Sequence, residues 1–444
     1  MKKFLMAFAS LVVFGLTADA QKVEFEEFDL DNGLHVILHQ DNSAPVVTVG
    51  VMYDVGGKDL GGDEKAGNRT GFAHFFEHLL FEGTENIGRG EWFTIVTSQG
   101  GSNNANTSMD RTYYYEVFPS NSLELGLWME SERMLHPVID QVGVDTQNEV
   151  VKEEKRLRMD NSPYGQLLPA VTENLFKKHP YKYKNIGEME DLDAATLEEF
   201  KAYFKKWYGP QNAVLVVTGD FQMENTKKMV RDYFSEVKRG TTPVRNFPKE
   251  DPITETIKAK HYDANIQLPA IVAAYRVPGF GKRDAYVMDM VSSYLSDGKS
   301  SKLYKKLVDE QKQALAVQAV NLGQKDYGIY ALFGIPLGDI ALTDLLAEMD
   351  EEIAKMQNEL ISEKDYQKLQ NKFENRFVNS NSSMQGIANS LARYYMLYGD
   401  VNLINDQINI YRSITREEIQ AAVKKYLNPN QRVELEYLPK KDDQ

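Results

Sequence analysis

Three ionisable side chains sit inside one short apolar run, Gly71-Phe-Ala-His-Phe-Phe-Glu-His-Leu-Leu80. The spacing predicts a helix, and on a helix residues i and i+4 lie one above the other on the same face. His74 and His78 can then aim at one metal ion. Glu77, three residues after His74, shares that side, where its carboxylate can take a proton from a water beside the metal. The flanking Phe72, Phe75, Phe76, Leu79, Leu80 and Phe81 predict a buried helix, and buried polar groups need partners. A metal would supply one.

With 7 His and 65 Asp+Glu in 444 residues, His-x-x-(Asp/Glu)-His is expected by chance about 0.02 times. The competing reading is a core helix whose histidines bond backbone carbonyls, but three ionisable groups on one side of an apolar helix are costly without a charge to bind. The order H-x-x-E-H marks the inverted zincins. Catalytic zinc usually takes three protein ligands plus a water, so one ligand must come from elsewhere in the chain. There is no cysteine, so that ligand is His, Asp or Glu, and disulfides are excluded. His35 and His39 are also four apart, but in a strand-like run, where that separation is about 13 Å. They are not a ligand pair.

The elements that must position these groups read as two similar halves. Strand patterns cover Gly33 to Leu38 and Val46 to Tyr53, the motif helix follows, and Gly100-Gly-Ser-Asn-Asn-Ala105 reads as a loop. Thr112 to Phe118 is strand-like, and 122–135 and 145–160 carry helical patterns. Thr196-Leu-Glu-Glu-Phe, Phe204-Lys-Lys-Trp-Tyr-Gly-Pro210 and Ala213-Val-Leu-Val-Val217 recur as Thr415-Arg-Glu-Glu-Ile, Val423-Lys-Lys-Tyr-Leu-Asn-Pro429 and Arg432-Val-Glu-Leu-Glu436, every part offset by 219 residues. Each copy opens with a capping box, runs through a helix, breaks before proline and re-enters a strand. A gapless register of that length points to internal duplication. The expected fold is α+β: two similar domains, each a mainly antiparallel sheet with helices packed on one face. The turn-rich stretch 238–252 reads as a linker between domains at 21–237 and 253–444, and the second domain contains no H-x-x-E-H.

The N-terminus has the form of an export signal. Lys2 and Lys3 precede an apolar core from Phe4 to Leu16, and Thr17-Ala-Asp-Ala20 offers a cleavage site. That core is too short to span a bilayer. The expected mature chain is exported, periplasmic or secreted, with no transmembrane segment once residues 1–20 are removed. A formal charge of −14 argues against a nucleic-acid partner.

Gln147-Asn-Glu-Val-Val-Lys-Glu-Glu-Lys-Arg156 supplies candidate third ligands, and spacing alone leaves Glu153 and Glu154 open. With His74, Glu77 and His78, this segment resembles the pitrilysin/insulinase metallopeptidases, in type the two-domain chain of the zinc-bearing subunit of mitochondrial processing peptidase and its bacterial relatives. Gly100-Gly101, Asn104-Ala105-x-Thr107, His179-Pro-Tyr181, Ile186-Gly187 and Pro210-Gln-Asn212 carry the same resemblance. It implies one Zn2+ per chain held by His74, His78 and Glu154, with Glu77 as the catalytic base. It places Asn104 and Ala105 on an edge strand that takes up a peptide substrate in extended form. Many relatives carry a glutamate where this chain has Gln147, which leaves that residue a supporting position near the ligands. Where self-sufficient relatives carry an Arg and a Tyr that hold the substrate backbone, Leu307-Val-Asp-Glu-Gln-Lys-Gln-Ala-Leu-Ala-Val317 offers Val308 and Val317. The implied enzyme is the catalytic subunit of a heterodimer with a homologous zinc-less chain, or a homodimer. The alternative is a non-catalytic core or assembly subunit of the same fold.

Overall fold

The computed structural model describes residues 22–63 and 67–440, so the export signal lies outside the described residues. In chain order the first half contributes β1 (Glu26–Asp29), β2 (His35–Gln40), β3 (Val46–Tyr53), the short pair β4 (Gly61–Asp63) and β5 (Gly67–Arg69), β6 (Ser102–Thr107), β7 (Thr112–Pro119) and β8 (Ala213–Gly219). The second half contributes β9 (Ile257–Asp263), β10 (Ala270–Pro278), β11 (Ala314–Leu322), β12 (Tyr327–Pro336) and β13 (Arg432–Pro439). One sheet has the order β1-β2-β8-β3-β7-β6 and the other β11-β12-β10-β13-β9. Only β2 with β8 and β9 with β13 pair parallel; every other neighbour in these two sheets is antiparallel. Apart from the extra β1, the two orders are the same once β2 is matched to β9 and β8 to β13. The duplication therefore extends from the repeated segment to the topology of both sheets.

Both capping boxes close as their sequence predicts. Glu199 N–H donates to Thr196 Oγ1 (3.3 Å) while Thr196 N–H donates to Glu199 Oε2 (2.7 Å). Glu418 N–H donates to Thr415 Oγ1 (3.2 Å) while Thr415 N–H donates to Glu418 Oε2 (2.8 Å). Two orphan donors are thus satisfied at each helix start.

Each sheet buries one face under helices of its own half, which gives the two main cores. The second faces are covered reciprocally. Ile387 and Leu391, on the helix Met384–Arg393 of the second half, pack on Ile37, Met52, Val214 and Val216 of the first sheet. Val171 and Leu175, on the helix Leu167–Leu175 of the first half, pack on Val272, Ala274, Val433 and Leu435 of the second. This is why β8, all of whose residues are buried, reads as a continuous apolar run and not as an alternating one.

One local reading changes. Ser102–Thr107 is a strand, not a loop, and it forms the edge of the first sheet. Its Asn-rich sequence hides the strand because no face of it is deeply buried, so apolar alternation is not required. The turn itself is confined to the residues around Gly100, whose φ of 72° suits glycine.

Candidate metal centre

The helix Phe72–Leu79 is only two turns long and is held from outside. Its N-cap, Gly71, has φ 82°, and a Cβ there would come within 2.7 Å of the Ile186 carbonyl oxygen. Both the conformation and the space require glycine. Ile186-Gly187 is therefore the backbone against which the helix starts. Three side chains then take its outward carbonyls: the Tyr114 hydroxyl donates to Phe76 O (2.8 Å), the Tyr208 hydroxyl to Ala73 O (3.4 Å), and Arg133 Nη1 to Leu80 O (2.7 Å).

Arg133 is wholly buried. It bonds Glu130 (3.1 Å) and Glu116 (3.2 Å), and its guanidinium lies over the rings of Trp92, Tyr114 and Phe81. Burial, reinforced by Glu130, pushes the Glu116 carboxyl well above the usual carboxylate range. Removing the guanidinium alone leaves buried acids without a counter-charge and Leu80 without its donor. Arg133→Met is expected to lower stability by about 3–5 kcal/mol, read by chemical denaturation; a loss below 1 kcal/mol would show that the cluster is dispensable.

The helix Gln141–Lys155 packs against the motif helix. Its buried Val144 and Val151 belong to the core that also contains the motif helix, and Glu154, three residues after Val151, shares that face. Glu154 Oε2 lies 3.0 Å from His78 Nε2 and 3.4 Å from His74 Nε2. That oxygen is enclosed yet makes no well-formed hydrogen bond, so the atoms face one another as co-ligands do. Ligands at about 2.0–2.1 Å from a tetrahedral zinc stand roughly 3.3 Å apart, and two imidazoles plus one carboxylate is a donor set found in catalytic zinc sites. The residues fit the ion. The imidazoles of His74 and then His78 hold the Glu154 carboxyl well below its ordinary range. Arg158 Nη1 takes the other oxygen, Oε1, at 2.5 Å. Glu153 points elsewhere: its side chain is 55% exposed and pairs with Arg156, so of the two acids that spacing left open it is Glu154 that faces the imidazoles.

Glu77 lines the same cavity as His74, His78 and Glu154, a space of about 790 Å³. β6 forms one wall, with Asn104 and Ala105 on the edge of the sheet. Ala105 N–H donates to Asn104 Oδ1 (2.9 Å), and Asn185 Nδ2 donates to the Thr107 carbonyl (2.9 Å). Phe81, Phe93 and Leu168 supply apolar walls, and the last two are about half exposed. Gln147 does not line the cavity. It donates to Glu82, which Arg89 also grips, and Arg89 reaches Asp140 at the start of the same helix (2.9 Å). Gln147 thus fastens the Glu154 helix to the segment following the motif. His35 and His39 bond Asp29 and the Glu24 carbonyl instead of a shared ion. Sequence reasoning missed Arg133, Tyr114 and Tyr208. Their only signal was an arginine three residues after a glutamate, a common pattern on exposed helices.

A family model described as insulinase (peptidase family M16) matches residues 35–188, and one described as peptidase M16 inactive domain matches residues 194–373. The chain is similar to the zinc protease PqqE of Helicobacter pylori, at 28% identity over 429 residues that cover 95% of each chain. It is also similar to a probable mitochondrial-processing peptidase subunit beta of Arabidopsis thaliana, at 22% identity over 83% of this chain and 70% of that one. The crystal structure of a protease from Helicobacter pylori superposes with a TM-score of 0.88 at 26% identity, covering 94% of this chain and all of that one.

Proposed function

This chain belongs to the pitrilysin/insulinase (M16) family of metallopeptidases, and from that premise we propose that it is an exported zinc endopeptidase acting on peptides or unfolded segments. The observation that carries the reading is the convergence of His74, His78 and Glu154 ligand atoms within 4.8 Å of one another, in a cavity that Glu77 and an open strand edge also line. When bound, zinc supplies a Lewis acid that polarises the attacking water and the peptide carbonyl. The Glu77 carboxylate takes the proton from that water and returns it to the leaving amine nitrogen. β6 holds the substrate as an added strand at Asn104 and Ala105, through main-chain hydrogen bonds that demand little of the sequence. Phe81, Phe93 and Leu168 displace water from the bound segment. Export rests on the leader at residues 1–20; no described helix is long and apolar enough to cross a membrane.

The partner follows from what the second half leaves out. Val317 is buried and Val308 packs partly buried against the same core, and neither lines the cavity. Side chains that would fix the substrate backbone from those positions are therefore absent, and we assign that role to a homologous zinc-less subunit, with a homodimer as the competing arrangement. The purified chain should contain zinc, cleave an unfolded protein slowly when alone, and gain at least about tenfold in rate when the second subunit is added, in line with the value of correct positioning. Chelation should abolish cleavage and added zinc restore it. Assay with mass measured in solution decides: full turnover from the chain alone would remove the two-subunit arrangement, and a chain that purifies without metal would remove the peptidase reading.

A further inference from the structure

Most of the cavity is built by the first half, but one lining residue comes from the second. Gln324 lies in the turn between β11 and β12 and lines the same cavity as the donor set. Its Oε1 is enclosed with no hydrogen-bond partner among the described residues, a costly arrangement for an amide unless a ligand completes it.

The turn that carries Gln324 is fixed on both sides by groups other than its own side chain. Phe280 N–H donates to the Gln324 carbonyl (2.8 Å), and a Cβ on Gly279 would come within 2.7 Å of that oxygen. Lys325 N–H donates to Asp110 Oδ2 (2.9 Å), and Asp326 N–H to the Tyr181 hydroxyl (3.1 Å). Lys58, only 1% exposed, bridges Asp110 (2.7 Å) in the first half to Asp326 (3.1 Å) in the second. The Lys58–Asp110 pair is buried while Asp326 is partly open to solvent, and together with the main-chain bonds to Asp110 and Tyr181 these contacts hold the turn against the first half. A side-chain amide is thereby presented at a fixed place in the cavity, while the fold makes no use of its oxygen.

We propose that Gln324 is a substrate-contacting residue, whose side-chain amide hydrogen-bonds the main chain of the extended polypeptide that β6 holds. A primary amide offers one acceptor and two donors, which match a peptide group and not a particular side chain, so the contact grips any sequence. This inference rests on the peptidase reading. The second half then does more than close the fold, because it contacts the same peptide in the cavity that β6 walls.

The test uses the full chain as isolated from its own cells, loaded with zinc and carrying Glu77→Gln so that bound polypeptide is not consumed. Fluorescein-labelled β-casein is the probe, and its Kd is read by anisotropy. Adding Gln324→Met, which keeps length and removes the polar atoms, should raise Kd roughly three- to tenfold with the melting temperature unchanged; Gln324→Ala should agree. In the otherwise active chain, Gln324→Met should raise KM more than it lowers kcat. Equal affinity with and without the amide would overturn the inference and leave the peptidase reading standing. Weakened binding accompanied by early melting in both variants would assign Gln324 to the fold and overturn it as well. A parent chain that binds no casein would remove the peptidase reading, and the inference with it.

Discussion

Glu77→Gln is expected to leave zinc content and fold intact and to lower turnover by roughly 10²–10⁴-fold. The donor atoms belong to His74, His78 and Glu154, so Glu77 can lose its charge without loosening the ion. An amide of the same shape keeps the packing of the helix Phe72–Leu79 but cannot accept the proton of the attacking water or return it to the leaving amine. The loss should fall on kcat and kcat/KM alike, because the proton is transferred only on the way to the transition state. Metal analysis and steady-state kinetics on the purified variant are sufficient. Cleavage at the parent rate would eliminate Glu77 as the base.

The second large effect is expected at Glu154. Glu154→Ala removes one of three ligand atoms from a centre whose other two come from a single short helix, and zinc affinity should fall by more than the roughly 10–100-fold that the loss of an outer hydrogen-bond partner costs. Glu153→Ala is the control. Its carboxylate lies on the solvent side in an exposed pair with Arg156, an interaction worth about 0–1 kcal/mol, so zinc content and activity should hardly change. Competition with a chromophoric chelator gives both affinities, and thermal melting shows whether either variant has unfolded. If Glu153 is the sensitive position, the donor set is not the one the geometry brings together.

These expectations draw on the sequence to different depths. His74, Glu77 and His78 were legible at once because helix geometry fixes the relation of residues three and four apart, whatever the rest of the chain does. The repeat was legible for a related reason: Thr196/Glu199 and Thr415/Glu418 cap their helices through contacts within four residues. Cysteine absence bounded the ligand types by composition alone. The strand at Ser102–Thr107 was not legible from composition, since an exposed edge tolerates the Asn and Ser that elsewhere mark a loop.

What the sequence determined by itself, then, is the local pattern: two imidazoles and a carboxylate on one helical face, a duplicated helix–turn–strand unit, and an acidic segment able to supply a third ligand. Tertiary structure alone brings Glu154, and not Glu153, up to the two imidazoles, because the two acids differ in which of them faces the motif helix, and that depends on the packing of Val144 and Val151. It also decided that each sheet is covered by a helix from the other half, since an amphipathic stripe specifies burial but not the surface that buries it. Lys58, Asp110 and Asp326 read in sequence as solvated charges; only the fold brings them together, 2.7 and 3.1 Å apart, and with them the Gln324 turn. Contacts between residues more than two hundred positions apart are set by the summed packing of both halves, and no local pattern in the chain encodes them.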